Sequence, residues 1–457
     1  MINYFFSKSF SIAKLLVIVV LLCSQNLNAQ NFSENKIDTF FNSLANRGIF
    51  QGSVLISVNN EVAYKKGFGF ADIAQKAKNN PSTKFRLASL SKTITVIAIM
   101  QLVQEGKLKV TDRISDVLEW YPVPLGNFVS IQDLMMMNSG IPSYTSSYDF
   151  VSFTSRADQP SVREFIVRYC SGPLKFQPGS AQFEYSNSNY YILGAIIEKV
   201  TGKPYAEVIE ERIFKRVGMS NSGYYYNTSI YENMATGYSL SPVTQVAEYY
   251  DQTSAYATGG LYSTVEDLFK LDQALYGEKL LKKQYINEIF KNRYPEDKTG
   301  ESWLYGWQVV PGTNSTMVYK TGLLWGARTL FLRDLANKNA IILLTNTDNN
   351  NGTSLNMIVN LLSLIKGDTP PLVVQQDIGP VMVKIIQEKG VDEAIKNYKR
   401  IKADKDASSW VLTDSELFNV GQYLITTNNL AGADKIFMLL STDFPESVYA
   451  TYRKSKQ

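Results

Sequence analysis

Apolar and β-branched residues crowd positions 53–58 and 62–68 on either side of Asn59-Asn60, which predicts two strands closing a hairpin. Before them, 36–47 carries apolar residues at helical spacing and Gly48 stops the pattern. A longer helical pattern runs over 89–105 and ends at Gly106; its middle, 96–100, is apolar all round, so this helix is expected to be buried. From there to about residue 300, helical segments alternate with loops rich in Tyr, Ser, Gly and Asn. The clearest of these helices are 190–200 and 206–217, and Ser263 with Glu266 makes a capping box for a third over 265–276. Strand patterns return at 306–310, 316–319, 328–332 and 340–345, followed by a closing helix at 355–364. The simplest fold is α/β: one antiparallel sheet built from both ends of this region, flanked by helices, with an all-helical subdomain inserted.

Asp368-Thr369-Pro370-Pro371 reads as a linker, and short amphipathic helices follow at 381–388, 391–399, 414–426 and 431–441. Segments 392–398 and 431–437 are alike, and each resembles one helix of a tetratricopeptide-type pair. A small all-α C-terminal region is therefore expected over 371–457, either docked on the main domain or open to protein partners.

The first 29 residues set the compartment. Lys8 and Lys14 precede a short apolar run, 15–23, and Leu27-Asn28-Ala29 places a small residue where signal peptidase cuts. This predicts a secretory leader over 1–29, an exported (periplasmic or secreted) protein, and a main domain over 30–370. An uncleaved anchor is the other reading; Leu22 is too bulky to make Cys23 a lipidation site. No later apolar stretch is long enough to span a bilayer.

The leader holds two of the 46 basic residues and none of the 42 acidic ones, so the remainder is close to neutral. Such a balance offers no basic stripe for nucleic acid. Of the two cysteines only Cys170 lies beyond the leader, so no intramolecular disulfide is available. The chain contains no histidine. That excludes a Ser-His-Asp triad, a Cys-His pair and imidazole-based zinc sites, and no metal or cofactor is expected. A hydrolase here must activate its nucleophile with Lys, Tyr, Asp or Glu.

A lysine one helical turn after a serine can share its proton. Ser-x-x-Lys occurs at Ser11/Lys14, Ser33/Lys36, Ser89/Lys92 and Ser363/Lys366, and only Ser89 begins a buried helix after a strand-like segment. There the serine meets the positive end of the helix dipole, with Lys92 on the same face; a serine cap beside a solvated lysine is the plainer alternative. Tyr-x-Asn occurs four times, among them Tyr185/Asn187. Lys-Thr-Gly occurs twice, at Lys298 in a polar turn and at Lys320 at the end of a strand.

Phe85-Arg86-Leu87-Ala88-Ser89-Leu90-Ser91-Lys92-Thr93 resembles the nucleophile motif of the serine β-lactamase and penicillin-binding protein family. Phe176-Gln177-Pro178-Gly179, Tyr185-Ser186-Asn187-Ser188-Asn189-Tyr190 and Gly259-Gly260-Leu261-Tyr262-Ser263-Thr264 are similar to further blocks, in the same order, across about 36–366. The resemblance implies a β-lactamase/transpeptidase-like fold with the site between sheet and helical subdomain. It implies Ser89 as nucleophile, Lys92 as its proton partner, Tyr185 as proton relay, and Asn187, Lys320, Thr321 and Gly322 as substrate-binding residues. The backbone N–H groups of Ser89 and Leu323 would form the oxyanion hole. Whether Lys92 or Tyr185 is the base stays open at this level. Substrates would be D-amino-acid peptides, β-lactams or small esters; a non-catalytic ligand-binding or scaffold protein is the alternative.

Two features depart from the pattern. Lys320 stands where peptidase-like and esterase-like relatives often have His, a form found in class C β-lactamases. Bulky Leu323, Leu324 and Trp325 follow Gly322, where small residues or Pro are usual, so either the acyl pocket is narrowed or Leu323 lends only its backbone and points away. The tyrosines at 144, 148, 224–226, 249, 250 and 256 either wall a cleft or pack, and Arg328 either meets a substrate carboxylate or makes a surface salt bridge.

Overall fold

The computed structural model describes residues 32–146, 160–248, 255–293, 302–313, 316–349, 353, 355–405 and 407–452. The leader, Tyr148, Tyr249, Tyr250 and Lys298 lie outside the described residues.

The sheet forms as the apolar runs require. Its six strands are β1 (Gly52–Val58), β2 (Glu61–Phe68), β3 (Gln308–Val309), β4 (Met317–Leu324), β5 (Ala327–Asp334) and β6 (Asn339–Thr345), all antiparallel, in the order β3-β4-β5-β6-β1-β2. Asn59 and Asn60 take positive φ, 52° and 65°, the geometry of a tight hairpin turn. Alternate side chains face two separate cores. On one face Val54, Ile56, Tyr319, Leu330, Ile341 and Leu343 pack against α1 (Glu34–Asn46) and α6 (Leu355–Ile365). On the other, Leu55, Val318, Phe331, Ile342 and Leu344 join the helical subdomain. That subdomain is centred on α2 (Ser91–Gln104) and α3 (Asn187–Thr201), with α4 (Tyr256–Gly259) and α5 (Val265–Ala274) beside them. As its apolar sequence requires, α2 is buried from Ser91 to Leu102.

Three details differ from the sequence reading. The cap of α5 is Thr264, whose side chain accepts from Asp267 N–H, whereas Ser263 ends a short strand and shares a hydrogen bond with Ser222. β4 extends five residues beyond Tyr319. Lys320 therefore lies within a strand, because Thr321 to Leu324 pair with β5 despite the glycine. Helix 206–217 is instead Tyr205–Ile209, a wide π-type turn over Glu210–Phe214, and Lys215–Val217. A fully buried ion pair, Arg333 Nε to Asp272 Oδ1 at 2.5 Å, fastens β5 to α5.

Helices α7 (Ile378–Lys389), α8 (Val391–Ala403), α9 (Asp414–Thr426) and α10 (Leu430–Asp443) share their own core around Met382, Tyr398, Leu417, Val420 and Ile436. The segment before them is pinned to the main domain: Asn360 exchanges hydrogen bonds with the Leu372 main chain, and Arg47 reaches Val374 O at 2.8 Å. Further contact comes from the 238–246 hairpin, where Ser241 Oγ donates to both Glu416 oxygens at 2.9 and 3.1 Å and Val243 packs on the helical core.

Candidate active site

The segment Phe85–Arg86 pairs with Leu261–Ser263 as a short strand, then turns sharply. Ala88 turns it with φ of 51°, unusual for a residue with a Cβ. Ala88–Leu90 form a single 3₁₀ turn and α2 begins only at Ser91, so Ser89 precedes the helix where the sequence pattern had it begin. Ser89 is partly exposed while Leu87, Ala88, Leu90 and Ser91 are buried. Gly322 makes the turn possible: a Cβ there would lie 2.3 Å from Leu87 O and 2.3 Å from Thr329 Oγ1. β4 thus presses its backbone onto the turn that presents Ser89.

Lys92 Nζ is fully buried and lies 3.0 Å from Ser89 Oγ, 2.8 Å from Asn187 Oδ1 and 2.8 Å from Thr258 O. Tyr185 OH donates to Ser89 Oγ at 2.9 Å. Asn187 begins α3, with its N–H bonded to Ser143 Oγ (3.1 Å) and its Nδ2 to Thr145 Oγ1 (3.3 Å). Lys320 is buried, its ammonium 4.9 Å from the centre of the Tyr185 ring and 5.1 Å from that of Trp303. Ser89, Lys92, Tyr185, Asn187 and Lys320 come together in space, although up to 231 residues apart in sequence.

Burial, and then the neighbouring Lys320 charge, hold the Lys92 ammonium well below its ordinary pKa. Burial pushes the Tyr185 phenol up to about 12, against a smaller lowering from its bond to Ser89. The alternative left open by the sequence narrows here: of the two, Lys92 is shifted toward its basic, neutral form, and Tyr185 away from its basic, anionic form.

Thr321, Gly322 and Leu323 occupy the end of β4. Leu335 N–H donates to Thr316 O, and the β4–β5 register is unbroken from Met317 opposite Asp334 to Leu324 opposite Ala327. Even-numbered residues of β4 therefore pair their main chain with β5 and odd-numbered ones turn theirs outward; Val310 N–H bonds Met317 O on that outer side. β3 covers only Val318 and Tyr319, which leaves the N–H groups of Thr321 and Leu323 facing outward beyond it. By the same alternation the half-exposed Leu323 side chain lies on the face opposite Gly322, away from Ala88.

Arg328 does not lie at the surface. It is buried, donates to Leu324 O (2.9 Å) and Ala327 O (3.2 Å), and burial lowers its guanidinium to about 10. Tyr144 and Tyr256 pack in the core, Tyr144 OH lying 3.1 Å from Thr258 Oγ1. Sequence reasoning passed over Thr258, Ser143, Thr145 and Trp303. Thr258 acts through a carbonyl, which no side-chain pattern reveals, and Trp303 belongs to no motif.

Compared with known proteins, residues 37–363 match the family model described as Beta-lactamase. A Bacillus subtilis protein bearing the name penicillin-binding protein PbpX is 30% identical over 304 residues, 66% of this chain and 72% of the relative. A teichoic acid D-alanine hydrolase of Staphylococcus aureus is 29% identical over 357 residues, 75% of this chain and 80% of its own. Among solved structures, the octameric penicillin-binding protein homologue of Pyrococcus abyssi superposes with a TM-score of 0.64 at 25% identity, covering 78% of this chain and 81% of that one.

Proposed function

The chain belongs to the beta-lactamase family, and from that premise we propose that it is an exported serine hydrolase that forms an acyl-enzyme at Ser89 on amide, β-lactam or ester substrates. One observation carries the reading. A neutral Lys92 amine has two protons and one lone pair. Asn187 Oδ1 and Thr258 O, each 2.8 Å away, take the two protons, and the lone pair is left for the hydroxyl of Ser89 at 3.0 Å.

In the proposed reaction Ser89 Oγ attacks the acyl carbon and its proton passes to Lys92 Nζ. Charge developing on the carbonyl oxygen is met by the Ser89 and Leu323 N–H groups, the latter on the edge of β4 beyond β3. Tyr185 OH, neutral because its pKa is raised to about 12, gives its proton to the leaving atom as the carbon–leaving-group bond breaks. The Lys92 ammonium then makes good that proton. Water entering the vacated place reverses the sequence, with the neutral amine again taking a proton, and the acid departs. Asn187, Lys320, Thr321 and Gly322 frame the substrate, Gly322 by letting β4 approach the nucleophile turn.

The Staphylococcus relative's name points to D-alanyl groups as a substrate class to try first. Residues 1–29 are assigned as the leader, 30–370 as the catalytic domain and 371–457 as a docked helical extension whose outer faces remain for protein partners. The test is steady-state hydrolysis of a D-alanyl ester and of p-nitrophenyl acetate. Ser89→Ala is expected to lower turnover by about a thousandfold or more. Turnover by a folded Ser89→Ala protein at the wild-type rate would overturn the assignment.

A further inference from the structure

The Lys320 ammonium lies over two aromatic rings whose centres are 5.8 Å apart and inclined at 58°, those of Tyr185 and Trp303. The Trp303 ring is backed by Phe183, stacked at 4.4 Å and 20°. Its main chain is fixed by a bridge to Gln308 and by Val309 N–H donating to Ser302 O at 2.9 Å. Trp303 Nε1, in contrast, is buried with no hydrogen-bond partner among the described residues. An indole whose buried polar edge meets no partner among the described residues is placed for the sake of its ring, and what its ring meets is a buried ammonium.

We propose that Trp303 is a positioning residue for hydrolysis: with Tyr185 it clamps the Lys320 ammonium by cation–π attraction beside Lys92 and the nucleophile. This rests on the Ser89–Lys92 reading above. The consequence is electrostatic. Lys320 is the second cause, after burial, of the lowered Lys92 basicity. A clamped Lys320 therefore helps keep Lys92 neutral, and a Lys320 free to swing toward water does so less. Among the described residues, the phenols of Tyr185 and Tyr190 also lie against the pair, both raised by burial and so uncharged in the working range.

The experiment is the pH dependence of p-nitrophenyl acetate turnover in Trp303→Leu and Trp303→Phe, each also made in a Lys320→Met background, with melting curves to verify folding. Loss of the clamp raises the Lys92 pKa, so the acid limb in Trp303→Leu is expected to move up by about one pH unit, a roughly tenfold loss of rate on that limb. Trp303→Phe keeps a ring and forfeits no hydrogen bond, and should move it less. In Lys320→Met, which has no charge to clamp, the Leu change should leave the limb in place. An unmoved limb in folded Trp303→Leu overturns the proposal. So does an equal movement in both backgrounds, which would mean that the indole merely keeps water out. A Ser89→Ala protein that still turns over would instead sink the nucleophile assignment, a separate failure.

Discussion

At the scale of single residues, the proposed mechanism turns on a lysine whose charged form is disfavoured by burial and by Lys320. A depressed Lys92 is charged and inactive at low pH and becomes a base as pH rises, so kcat/KM is expected to climb through an acid limb lying well below the ordinary lysine value of 10.5. A limb near 10.5 would contradict the assignment. Lys92→Met should cost about a hundred- to ten-thousandfold in turnover of any ester. Tyr185→Phe should be more selective, because p-nitrophenolate leaves without a proton while an alkoxide or amine does not. The loss is therefore expected to be larger for a D-alanyl ester than for p-nitrophenyl acetate, and equal losses would remove Tyr185 from proton delivery.

At the scale of elements, what packing demands was legible in the sequence and what long-range approach demands was not. The all-apolar middle of α2 announced a buried helix, and the Asn59-Asn60 turn announced its hairpin, because both are local. The end of β4 was misjudged, since Thr321-Gly322 looks like a terminus and becomes strand only through pairing with β5. The same approach explains Gly322, where a Cβ would lie 2.3 Å from Leu87 O. Gly322→Ala should push β4 off the nucleophile turn and lower turnover more than the melting temperature, as paired activity and melting measurements would reveal. Arg328, for which the sequence suggests a surface salt bridge as the plainer reading, is buried. Arg333 on the same strand faces Asp272, with both side chains fully buried. Removing one partner strands a buried charge, so Asp272→Ala should destabilise by about 3–5 kcal/mol in denaturant titration.

At the scale of the molecule, the C-terminal helices meet the rest of the chain through acids. Glu416, Asp377 and Asp348 lie close together where α9 and the start of α7 reach the 238–246 hairpin, with Ser241 Oγ, Gly379 N–H, Asn349 Nδ2 and Leu240 N–H as donors. Burial, then the neighbouring acids, raise Glu416 to about 7 and Asp377 to about 6. The folded state thus keeps protons that an unfolded chain has lost. This contribution is complete below the ordinary carboxylate range and fades as pH rises through about 6 to 7. Melting temperature should fall over that interval in the wild type and fall less in Glu416→Gln, while a wild-type profile that rises there would refute the sign. None of this was readable from the sequence, where these acids stand up to 68 residues apart and look like ordinary surface charges.

The central claim, a covalent intermediate on Ser89, is most directly tested by the intact mass of the protein against time after mixing with a penicillin or an activated ester. A transient gain equal to the acyl group, located by peptide mapping on residues 85–93 and missing in Ser89→Ala, is the expected result. No gain with either reagent in folded wild-type protein, or a gain that persists in Ser89→Ala, would contradict it.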